Sequence, residues 1–93
     1  MEKVNWISIE QCCVYYNIET SFVHKLDEHG LIELSRSDET IFIPFEQLSD
    51  LEKYMHLHYE LEINLEGLET IKHLLDRVDS LQKEVQRLKG EMG

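Results

Sequence analysis

The sequence predicts a mainly α protein: a winged helix-turn-helix with a small β-hairpin wing and a long C-terminal dimerisation helix. Three observations predict it. Two short segments with helical apolar spacing flank a turn at Asn17-Ile18, two arms rich in branched residues lie between Leu31 and Ile43, and the C-terminal third carries a heptad repeat. Ninety-three residues, 42% of them apolar, suffice for one small core plus a helix and exclude two independent cores. The chain therefore divides into residues 1–60, the helix-turn-helix with its wing and a connecting helix, and residues 61–93, the coiled-coil helix.

Ser8 followed by Gln11 is a capping-box signature that starts the first helix. Ile9, Cys12, Cys13 and Tyr16 then make one apolar face, and Asn17-Ile18 make the turn. A second helix restarts at Glu19 or Thr20 with Phe22, Val23 and Leu26 on its inner side. Gly30 stands where a left-handed C-terminal residue belongs. In the hairpin, Leu31, Ile32 and Leu34 form one arm, Ile41, Phe42 and Ile43 the other, and Ser35, Arg36, Ser37 and Asp38 the turn. Pro44 takes the first position of a third helix, whose stripe is Phe45, Leu48, Leu51, Met55 and Tyr59. Asn64 caps a fourth helix that begins near Leu65.

From Ile71 the apolar positions step 3, 4, 3, 4: Ile71, Leu74, Val78, Leu81, Val85, Leu88, Met92. Branched residues occupy a and leucines d, a seam that asks for cover. A second copy or another partner supplies that cover, or the seam packs back on the wing. The first is the expectation, making Ile71, Leu74, Val78, Leu81, Val85 and Leu88 dimerisation residues. Parallel pairing sets Glu84 against Lys89, and antiparallel pairing sets Arg77 against Glu84, so charge leaves the direction open.

Nineteen acidic residues against nine basic ones give a formal charge of −10. Such a surface repels phosphate backbones, and the first sixty residues hold only Lys3, Lys25, Arg36 and Lys53 against twelve carboxylates. DNA binding is therefore not expected. Glu19, Asp27, Glu28, Asp38 and Glu39 concentrate acid on the helix-turn-helix and wing, either as a solvated face or as a docking face for a basic partner. Met1 to Trp6 lacks the apolar run of a secretory signal, and no stretch approaches the roughly 20 apolar residues of a membrane span. A reducing cytoplasmic setting is the expectation.

No arrangement places a base beside a nucleophile, and no phosphate-binding glycine loop is present, so catalysis is not expected. Cys12 and Cys13 are adjacent, about 100° apart on a helix, and are read as small apolar core residues rather than as a soft-metal or oxidant sensor. His56 and His58 point to nearly opposite sides, and no histidine pair has the i, i+4 spacing of a chelate, so neither metal nor cofactor is expected. Trp6 reads as a staple beside the Ser8 cap, or with Tyr15-Tyr16 as an aromatic anchor for a partner.

The order helix-turn-helix, wing, connecting helix and dimer helix resembles MerR-type regulators. Ile7-Ser8-Ile9-Glu10-Gln11 resembles their first-helix opening, Gly30-Leu31-Ile32 their turn into the wing, and Phe45-Glu46-Gln47-Leu48-Ser49-Asp50-Leu51 their third helix. Downstream, Leu57-His58-Tyr59-Glu60-Leu61-Glu62-Ile63-Asn64-Leu65-Glu66-Gly67-Leu68 resembles the CbpM-like chaperone-modulator family, as does Leu74-Leu75-Asp76-Arg77-Val78 with Leu81 and Leu88. The resemblance implies a MerR-like fold that binds the J-domain of a DnaJ-type co-chaperone (CbpA) and inhibits it by occluding its basic, Hsp70-facing surface. DNA-binding relatives place Arg and paired Tyr in the second helix and Arg with an aromatic in the second wing strand. Phe22-Val23-His24-Lys25-Leu26-Asp27-Glu28 and Glu39-Thr40-Ile41-Phe42-Ile43 depart from both patterns. The alternative implied by the wider resemblance is a DNA-binding regulator, with Lys3, Lys25 and Arg36 on phosphates.

Overall fold

A computed structural model describes residues 5–92. Lys3 and the side chain of Met92 lie outside the described residues. Helix α1 spans Ile9–Tyr16, and the Gln11 N–H donates to Ser8 Oγ at 3.1 Å, the cap the spacing predicts. Asn17 closes the helix in the left-handed region at φ 56°, with the Ile18 N–H reaching the Cys13 carbonyl at 3.0 Å. Helix α2 spans Thr20–Glu28. Gly30 follows at φ 72°, and the Leu31 N–H donates to the Leu26 carbonyl at 2.8 Å while the Gly30 N–H donates to Asp27 at 3.0 Å. That pair of bonds is the Schellman closure, and it delivers Leu31 straight into the core.

The wing differs from the expected hairpin. Strand β1 is Trp6–Ser8, β2 is Ser35–Ser37 and β3 is Thr40–Pro44, in an antiparallel sheet of order β1-β3-β2. The predicted turn residues Ser35, Arg36 and Ser37 are the strand itself, with Arg36 opposite Ile41, and the reversal is confined to Asp38-Glu39. Leu31 and Ile32 are buried in the core rather than strung along a strand. Their side chains are adjacent in sequence, so an alternating strand exposes one of them, whereas an irregular loop buries both. Asp38 holds the turn in the left-handed region at φ 54°, a conformation its short polar side chain tolerates better than most.

Strand β1 has no counterpart in the sequence reading. Trp6 pairs with Pro44 and Ile7 with Ile43, so the residues before the Ser8 cap build a sheet edge. The Trp6 indole rests on the Phe42 ring at 4.1 Å between centroids, and it is Ile7 that packs against the core at the position preceding the cap. Pro44 ends β3 rather than opening a helix. Its ψ of 144° is extended, and the Phe45 N–H continues the ladder by donating to the Asn5 carbonyl at 2.8 Å. A short 3-10 turn, Phe45–Gln47, then leads into α3, Leu48–Met55, which ends in a π turn at His56–Glu60. Within its predicted stripe Leu51 is buried, but Phe45 and Tyr59 are about half exposed, and Tyr54 is buried in their place.

Helix α4 runs Leu65–Met92, about 42 Å at the usual rise. Asn64 Oδ1 accepts the Gly67 N–H at 2.8 Å, as the cap requires. The first turns dock onto the body: Leu68 is fully buried, His29 Nδ1 pairs with Glu69 Oε1, and the ring of His58 bonds the Ile63 carbonyl at 2.9 Å. Beyond His73 every described side chain is exposed.

Candidate functional site

The outer face of α2 and the wing tip frame a groove. Thr20 and His24 line it from α2, Glu39, Thr40 and Ile41 from the wing, and Ser8, Ile9 and Glu10 from the start of α1. Helical spacing brings Thr20, His24 and Glu28 onto one side, and the Asp38-Glu39 reversal carries Glu39 to the rim.

The five acidic residues singled out by the sequence do not meet in one cluster. Glu39 borders this groove and Asp38 sits beside it at the exposed wing tip. Glu28 is exposed at the last turn of α2. Glu19 lies on the other side of α2, at the N-cap, where it accepts from Ser21 Oγ at 3.3 Å. There it lines a separate hollow with Phe22, Lys25, His58 and Tyr59. Asp27 is half-buried, and its Oδ1 accepts the Leu34 N–H at 3.3 Å, so it braces the wing base. Glu10, which is not among those five, enters the groove because the Ser8 cap aims the first turn of α1 toward the wing. Its first-turn position was the available signal. Near these carboxylates the cations on α2 and the wing are Lys25, in the Glu19 hollow, and Arg36, exposed on β2.

Candidate chemistry elsewhere resolves into packing. Cys12 and Cys13 are buried in the core as free thiols, and burial pushes Cys12 up to about 11 and Cys13 upward as well. A thiol so raised is a poor nucleophile and a poor metal ligand at neutral pH. Among the described residues no group of three or more His, Cys, Asp and Glu side chains is arranged to hold a metal. Burial first, then the Glu52 carboxylate accepting its hydroxyl at 2.8 Å, pushes Tyr16 up to about 12. Tyr54 rises to about 12, chiefly through burial. No described helix is long and apolar enough to cross a membrane.

The heptad seam is in view along its length. Leu74, Val78, Leu81, Val85 and Leu88 are each 44–58% exposed, and only Ile71 is partly covered by the body. The seam does not pack back on the wing. Intrahelical ion pairs, Lys72–Asp76 at 2.8 Å, Lys83–Asp79 at 3.0 Å and Arg87–Glu91 at 2.9 Å, flank it and support the helix without covering it.

Comparison with known proteins places this architecture among relatives. Residues 7–90 match the family model described as MerR HTH family regulatory protein. The chain is also similar to the chaperone modulatory protein CbpM of Pseudomonas entomophila (strain L48). The two are 28% identical over 88 residues, covering 94% of this chain and 87% of that protein.

Proposed function

This chain belongs to the MerR HTH family of regulatory proteins, and from that premise we propose that it is a non-enzymatic chaperone modulator. It binds the J-domain of a DnaJ-type (CbpA-like) co-chaperone and occludes the surface that meets Hsp70. The observation that carries the reading is the charge on the helix-turn-helix face: Glu10, Glu28, Asp38 and Glu39 are exposed where a DNA reader needs phosphate-binding cations. An acidic face repels DNA and speeds encounter with a basic partner. Similarity to a chaperone modulatory protein along nearly the whole chain supports the same choice.

The α4 seam serves a homodimer in this reading, with Ile71, Leu74, Val78, Leu81, Val85 and Leu88 covered by the second copy. The protein works in the reducing cytoplasm, where Cys12 and Cys13 stay thiols.

The test is calorimetric titration of the protein with a purified J-domain from the same cell, at low and high salt. Micromolar or tighter binding that weakens as salt rises is the expected result. A second reading, a DNA-binding regulator, is favoured by the family itself and by Arg36, exposed on β2. Retention of an inverted-repeat promoter fragment, without J-domain binding, overturns the chaperone reading in favour of that one.

A further inference from the structure

We infer that the partner's docking surface does not end at the α2–wing groove but continues over Glu10 onto the outer face of α1, where Val14 and Tyr15 are its apolar anchors. This rests on the reading that the partner is a J-domain. Val14 is 82% and Tyr15 72% exposed, the two most exposed large apolar side chains among the described residues. Single exposed apolar residues are ordinary, but these two are neighbours and share one patch with Glu10 and Gln11. Glu10 also lines the groove against the wing, so groove and patch are one continuous surface.

The patch is ordered before any partner arrives. The Tyr15 ring stacks on Tyr16 at 4.9 Å between centroids with 6° between planes, and the Tyr16 hydroxyl is tied to Glu52 Oε2 at 2.8 Å. A pre-set tyrosine loses little rotamer freedom on binding, which is why such residues dominate interface energetics. Its outward ring face is open to a cation such as an arginine guanidinium.

Charge selects the occupant. Helix α1 carries no Lys or Arg, Glu10 stands at the centre of the combined surface, and Glu39 stands at its far rim. A second copy of this chain brings like charge against like and is disfavoured here, and α4 already offers a separate apolar seam. The matching partner is a basic helix with aliphatic side chains on one face.

The test is titration of the full-length protein and its variants with the same purified J-domain. Tyr15→Ala is expected to weaken binding at least about tenfold, as truncation of an anchor does. Val14→Ser is expected to weaken it several-fold, and Glu10→Lys about tenfold with a shallower salt dependence. Tyr15→Phe keeps the ring and should bind within about twofold of wild type. All three positions of change, Glu10, Val14 and Tyr15, are exposed, so unchanged circular dichroism and melting temperature confirm folding, and Tyr15→Phe against Tyr15→Ala separates contact from fold. Wild-type affinity in Tyr15→Ala and Glu10→Lys overturns the α1 surface while leaving the J-domain reading intact. No binding by the wild type overturns both.

Discussion

Gly67 inverts an ordinary rule of helix design. Replacing a helical glycine with alanine normally stabilises by about 1 kcal/mol, because glycine loses more backbone entropy on folding. A Cβ at Gly67 stands 2.6 Å from Ile63 Cγ2 and 3.2 Å from Asn64 Oδ1. Ile63 is branched and half-buried against the core, so it yields only by leaving its rotamer or shifting the turn, at about 1–3 kcal/mol. Asn64 Oδ1 is the cap of α4, and displacing it forfeits about 1 kcal/mol more. The costs exceed the propensity gain, and Gly67→Ala is expected to destabilise by about 1–3 kcal/mol. Gly90, on the same helix with nothing within 4 Å of its Cβ, supplies the control: Gly90→Ala should raise stability by up to about 1 kcal/mol. The assay is thermal and urea unfolding followed by circular dichroism at one fixed protein concentration, where 1 kcal/mol is about 4–8 °C in a domain this size. The double variant Asn64→Ala/Gly67→Ala should cost less than the sum of its parts, since the cap is lost only once. A Gly67→Ala protein as stable as Gly90→Ala refutes the reasoning, because it means that the 63–67 turn relaxes freely.

Three further outcomes follow from the same structure. Leu81→Glu, near the middle of the α4 seam, should convert a dimer into a monomer by light scattering; a dimer that persists assigns the seam to another occupant. Asp27→Ala should cost about 1 kcal/mol and raise hydrogen exchange at the Leu34 amide, whose acceptor it removes; unchanged exchange refutes the brace. Because burial raises Cys12 from 9.0 to about 11, the folded state binds its proton more tightly than the unfolded one. Its contribution is intact below pH 9 and is lost as pH climbs from 9 to 11, and Cys12→Ala should flatten that part of the stability curve.

The features legible in the sequence are those written in neighbouring residues. The Ser8 and Asn64 caps, the left-handed Gly30 and the heptads of α4 each depend on side chains within a turn or two, and the structure holds all of them. Composition likewise carried the acidic character of the helix-turn-helix face. The rest depends on residues far apart along the chain. Trp6–Ser8 becomes a strand only because β3 offers it an edge, and Pro44 is extended because that ladder runs through it. Tyr54 is buried where Tyr59 was expected, and Asp27, expected among the exposed acids, is drawn to an amide seven residues on. Glu10 lines a groove with Glu39 because the sheet and the α1 cap set the wing beside the first helix, and the same residue borders the patch of Val14 and Tyr15. Local propensity thus determined where helices start and stop, and tertiary packing decided which side chains face one another, because burial and cross-strand pairing are settled by partners that sequence spacing does not encode.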